Sequence, residues 1–132
     1  MNTRDLLYTL SFATDATDLY NCFTDPRLHS SFTGEQAIVE ASEASSFSLL
    51  DGYATGIIMT LERSRKIVLK WKAAEHGWPE DHYSEVTILF KNNENGCALD
   101  LFHNRIPASC ADNVDQKWNT FYWEPLKIFL ER

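Results

Sequence analysis

Four histidines, three cysteines and nineteen carboxylates are the side chains here that could move a proton, hold a metal or attack a substrate. Their spacing decides which of these chemistries is open. His76 and His82 share a stretch with Glu75, Glu80 and Asp81, all zinc-ligating residue types. Zinc needs three or four ligands converging in a tetrahedron, and Trp78-Pro79 between the two histidines predicts a packed corner instead. Cys22, Cys97 and Cys110 are odd in number and widely separated, which fits neither a disulfide framework nor a metal spacing. They read as buried free thiols in a reducing compartment. No Gly-x-Ser-x-Gly elbow is present, and the five glycines are spread through turns rather than gathered in a phosphate-binding loop. Glu80-Asp81 reads as a solvated pair of loop acids. The expectation is no catalytic residue, no metal site and no cofactor.

His103 is the histidine that alternation singles out. It falls on the same side of a strand as Leu99 and Leu101, the side that faces inwards. A histidine in an apolar interior can orient a ligand or move a proton. It can equally be a core residue bonded to a backbone group or to Tyr122. Which of these holds depends on the elements that place it.

Those elements begin with period-two alternation of Leu6, Tyr8, Leu10 and Phe12, which predicts a first strand. Asp15 then caps a helix carrying Ala16, Leu19, Tyr20 and Phe23 on one face. Asp25-Pro26 starts a second short helix that carries Leu28 and Phe32 inwards and stops at Thr33-Gly34. Further strands are predicted over 36–42, 46–50, 55–62, 66–73, 83–91 and 97–104, with turn chemistry at Asp51-Gly52, Arg63-Ser64-Arg65 and Asn92-Asn93-Glu94-Asn95-Gly96. Short turns between successive strands imply an antiparallel meander. After Pro107 the period becomes helical, with Ser109 or Asp112 as cap. Val114, Trp118, Phe121, Tyr122, Pro125, Ile128 and Phe129 form a broad stripe, widened by Leu126 and Leu130. Pro125 removes one backbone donor and should kink this helix. Seven strands have too large an apolar face for one helix unless the sheet curls round it. The expected fold is therefore α+β: a curved antiparallel sheet of about seven strands gripping a long C-terminal helix, with two short helices after the first strand, in one domain over residues 1–132.

A net charge of −7 argues against nucleic acid, because binding phosphates requires a basic face and the densest basic run is Arg63, Arg65 and Lys66. The opening Met1-Asn2-Thr3-Arg4-Asp5 lacks the pattern of a signal peptide, and no apolar stretch approaches the ~18 residues of a membrane span. A cytoplasmic location is expected.

Several segments in order carry a resemblance: Phe32-Thr33-Gly34-Glu35, Phe47-Ser48-Leu49-Leu50-Asp51-Gly52-Tyr53-Ala54-Thr55-Gly56, Ile67-Val68-Leu69-Lys70-Trp71-Lys72, Trp78-Pro79, His82-Tyr83-Ser84, Pro107, Trp118, and Phe121-Tyr122-Trp123-Glu124-Pro125-Leu126-Lys127. Together they resemble the C-terminal domain of the activator of heat-shock protein 90 ATPase family, within the START-like or SRPBCC superfamily. The resemblance covers about residues 8–130. It implies a helix-grip fold, a cavity between sheet and C-terminal helix, and a stress or co-chaperone role. Two positions depart from the family pattern. Ser45-Ser46 stand where a Gly pair often precedes the Phe, and Lys72 stands where Arg often follows the Trp, giving up the bidentate fork.

Three functions follow as expectations. The first is a non-catalytic binding domain holding an apolar small molecule or lipid in a cavity lined by Met59, Trp71, Val86, Leu101, Trp118 and Tyr122, with His103 and Tyr122 as its polar groups. The second is a co-chaperone-like module with a chaperone or other protein partner. The third is a cyclase- or aromatase-type enzyme using His103 with Tyr83 or Tyr122 in the same cavity.

Overall fold

The computed structural model describes residues 1–131. Its strands are β1 (Thr3–Phe12), β2 (Ser46–Leu49), β3 (Ala54–Glu62), β4 (Lys66–Ala73), β5 (Ser84–Asn93) and β6 (Gly96–Pro107). All neighbours pair antiparallel, in the spatial order β1-β6-β5-β4-β3-β2. Period-two patterning decides the inner face. Ile67, Leu69 and Trp71 of β4, Val86, Ile88 and Phe90 of β5, and Leu99, Leu101 and His103 of β6 are all buried.

The sheet has six strands, not about seven. Of the stretch 36–42, only Ile38 forms a bridge, opposite Ser48. Beyond Val39 the chain has no β-branched residue up to Ser46, so its strand propensity is low. It turns away through Ala44, whose φ is 69°. Gly56 lies where β3 is pinched between its neighbours. A Cβ there would stand 1.8 Å from the Lys70 carbonyl oxygen and 2.8 Å from Phe47 Cζ. Only glycine lets the three strands close up at that point.

Helices α1 (Ala16–Thr24) and α2 (Pro26–Thr33) follow β1. Asp15 accepts from the Asp18 amide and Asp25 from the Arg27 amide, each at 2.8 Å. Pro26 opens α2, and Gly34 ends it in the left-handed region. Each cap contributes about 1 kcal/mol. The buried side chains of α2 are His29, Phe32 and Thr33, whereas Leu28 is only half-buried.

The C-terminal helix is not one uniform α-helix. A 3-10 turn (Ala108–Cys110) leads into α3 (Ala111–Trp118), a π turn (Asn119–Trp123) and α4 (Glu124–Leu130). No side chain caps α3, so neither Ser109 nor Asp112 has that role. In the π turn the Glu124 amide reaches back five residues to the Asn119 carbonyl, one step before Pro125. Residues four apart drift by about 40° per step on an α-helix, which makes about 3.6 residues per turn. The wider π turn takes up that drift, so Val114, Trp118, Tyr122 and Leu126 all stay buried. The expected stripe changes accordingly. Trp123 is buried, whereas Ile128 is 70 % exposed.

Candidate functional site

Where helix meets sheet, the interior holds a chain of hydrogen bonds. Trp118 Nε1–H donates to His103 Nδ1 at 3.0 Å. An indole N–H can only donate, so Nδ1 is the bare nitrogen and Nε2 carries the proton. Nε2–H therefore donates to Ser84 Oγ at 2.8 Å, and Ser84 Oγ–H donates to the Trp71 carbonyl at 2.8 Å. This chain ties α3, β6, β5 and β4 together with every polar atom satisfied. His103 has no lone pair left for a proton, and burial pushes its pKa down to about 3. It is neutral at physiological pH and bonds neither Tyr83 nor Tyr122, so it lacks the partners an acid–base role would need. Trp71 packs edge-on against His103 with centroids 4.5 Å apart. It lies nearly parallel to Trp118, with centroids 6.2 Å apart.

A second buried histidine forms the other polar feature. His29 of α2 is fully buried, with Nε2 hydrogen-bonded to the Tyr122 hydroxyl at 3.0 Å. Its Nδ1 has no partner among the described residues. Burial pushes its pKa down to about 4, and burial likewise raises the Tyr122 phenol above the usual tyrosine range. The spacing of His29, Phe32 and Thr33 at i, i+3 and i+4 marks the buried face of α2, a signal that reading the helix through Leu28 misses.

Beside this pair is an apolar cavity of about 30 Å³. Its walls include Phe47, Leu69 and Ile88 from the sheet, Trp118 and Tyr122 from the helix, and His29. Of the residues expected to line a cavity, Trp71, Trp118 and Tyr122 do so. Val86 and Leu101 point inwards and are fully buried, but they pack in the core away from the cavity. His103 is occupied by the hydrogen-bond chain. Met59 is 44 % exposed. The β3–β4 register slips between Ile58 and Thr60, so Met59 is the extra residue of a bulge. Ile58 and Leu61 reach the cavity in its place.

Water occupies roughly 10–15 Å³ of such space, whereas pockets for drug-sized ligands run to about 300–1,000 Å³. The grip is thus closed by its own aromatic side chains. Outside it, phenol–carboxylate bonds join Tyr8 to Asp115 and Tyr53 to Glu75, fastening the helix flank to the sheet. Among the described residues, no three His, Cys, Asp or Glu side chains gather as metal ligands, and no helix is long and apolar enough to cross a membrane.

A family profile described as "Activator of Hsp90 ATPase homolog 1-like protein" matches residues 13–131. The human activator of 90 kDa heat shock protein ATPase homolog 1 is 31 % identical over 117 residues, covering 89 % of this chain and 34 % of the relative. An uncharacterized fission-yeast protein is 27 % identical over 127 residues, covering 96 % of this chain and 37 % of its own. The chain thus spans about a third of the length of the curated relatives it matches. Among solved structures, an Hsp90 activator from Plasmodium falciparum superposes with a TM-score of 0.88 at 27 % identity, covering 96 % of each chain. A Mesorhizobium loti protein shares the fold, with a TM-score of 0.83 at 16 % identity over 98 % of each chain. On the matched span, the identity to the human relative and the helix-grip architecture, this chain belongs to the family of activator of Hsp90 ATPase homolog 1-like proteins.

Proposed function

We propose that this domain is a co-chaperone-like interaction module that binds a chaperone of the heat-shock protein 90 class through its outer surface. The observation that carries this reading is the filled grip. A cavity of about 30 Å³ leaves no room for a lipid chain or a cyclase substrate, so the working surface lies outside. The similarity to named activators of that chaperone's ATPase supplies the partner class. Whole-protein activation of the ATPase by this one domain is part of the proposal. The exposed turn of Arg63, Arg65 and Lys66 gives the contact a salt-dependent component.

Titration calorimetry with the chaperone of the same organism, at low and at physiological salt, tests the binding, and steady-state ATP hydrolysis tests the activation. Saturable binding is expected, weakening with salt. Absence of heat and of co-elution with the chaperone, with and without nucleotide, would sink the proposal.

One observation favours a second reading. The unpartnered His29 Nδ1 beside the cavity offers one polar contact to a ligand of a few heavy atoms, held by Trp71, Trp118 and Tyr122. Native mass spectrometry beside the denatured mass tests this. A clean apo mass, with no uptake of a small phenol, removes it.

A further inference from the structure

The two edges of the sheet are treated differently. At one edge, β2 has four residues, and the bridge from Ile38 to Ser48 occupies part of its outer side. At the other, β1 has ten residues and nothing beyond it among the described residues. Its pairing with β6 is regular from Leu6 opposite His103 to Phe12 opposite Cys97. Over that span it carries no charge, proline or glycine. Such residues ordinarily blunt an exposed edge, whose free N–H and C=O groups are a template for another strand.

Two clefts run end to end along this edge, beneath the C-terminal helix. One, of about 440 Å³, is bounded by residues 7–10 and Trp123. The next, of about 220 Å³, is bounded by residues 11–13 and Leu130. Lys127 walls both, so they form one groove. Seven residues of strand span about 23 Å. Trp123 is buried at the groove wall, and its indole N–H has no acceptor among the described residues.

We propose that this groove docks one extended polypeptide segment of a partner protein, with apolar side chains at alternate positions, which pairs with β1 as a seventh strand. Backbone-to-backbone pairing gives the affinity, and the groove between β1 and the helix selects the alternate side chains. A helix could not satisfy the edge, since its backbone groups bond to each other. A second copy is disfavoured because each carries a net charge of −7. This surface and its peptide chemistry are independent of the chaperone reading.

The test selects phage-displayed peptides of about ten residues, long enough to cover the edge, on the immobilised protein. The enriched peptide is then titrated by fluorescence anisotropy against the wild type, Leu7→Lys and Thr9→Lys. Both positions are exposed, so both variants should fold, which unchanged thermal unfolding verifies. Expected are peptides with alternating apolar residues, binding weakened roughly tenfold or more by either substitution, and slowed amide exchange in β1 when peptide is bound. The proposal is overturned if no peptide is enriched. It is equally overturned if binding ignores both substitutions and β1 exchange is unchanged, or if the wild type is a dimer that Leu7→Lys splits, which would make a second copy the occupant.

Discussion

His29 and His103 are both fully buried and neutral, with folded-state pKa values pushed down to about 4 and about 3 from the ordinary 6.5. Their consequence is a steep acid sensitivity. Below pH 6.5 the unfolded chain takes up a proton at each site while the folded protein takes up none until near its lowered pKa. Stability therefore falls as pH falls, by about 1.4 kcal/mol per pH unit for each histidine. Between about pH 7.5 and 4.5 the loss is about 2.5 kcal/mol for each and about 5 kcal/mol for the pair, as much as the whole stability of a weak domain. Urea unfolding at half-unit pH steps measures it. Carboxylates add their own dependence at the acid end, so the histidine contribution is read by comparison with His29→Gln and His103→Gln. Each variant should flatten the slope between about pH 6 and 4.5 by about 1.4 kcal/mol per unit, whatever its stability at neutral pH. Parallel slopes for wild type and variants would refute the reasoning, since they would mean that the folded histidines accept protons in that range.

Ser84→Ala strips His103 Nε2–H of its acceptor, leaving a buried donor unmatched. It should cost about 2 kcal/mol in denaturant unfolding at neutral pH. Gly56→Ala drives a methyl group into the Lys70 carbonyl and should leave little folded protein, seen as loss of the near-ultraviolet circular dichroism of the tryptophans. Met59 sits at the exposed bulge. Met59→Lys should therefore change stability by no more than about 0.5 kcal/mol in the same unfolding assay. Trp118→Phe keeps a ring but empties the indole's space and deprives His103 Nδ1 of its donor. It should cost about 3 kcal/mol by urea unfolding.

The strands and helices were legible because burial writes a period into a sequence. Val86, Ile88 and Phe90 alternate with more exposed neighbours, and Asp15 and Asp25-Pro26 announce the starts of α1 and α2. Local irregularities were not legible. A bulge adds one residue without altering residue types, so Met59 continued the alternation on paper while its side chain turned outwards. The stretch 36–42 has apolar residues in the right places but only one of them finds a strand partner. The inward placement of His103, Trp118 and Tyr122 could be read from periodicity. Their hydrogen-bond partners could not, because Ser84, Trp71 and His29 come from segments whose approach only tertiary packing decides. The filled state of the grip was hidden for the same reason, since it depends on how Trp71 and Trp118 stack.

The π turn has a consequence for how this helix tolerates change in length. An α-helix rotates about 100° per residue, so deleting one residue from Asn119–Trp123 and letting the turn relax to α geometry would swing everything after it by that angle. Leu126 would leave the interior, and the groove beside β1 would lose the Lys127 and Leu130 wall it has now. The turn acts as a phase setting for the last two turns of the chain. In this segment the number of residues matters more than their identities, and homologous helices one residue shorter here should carry their apolar residues one position out of step.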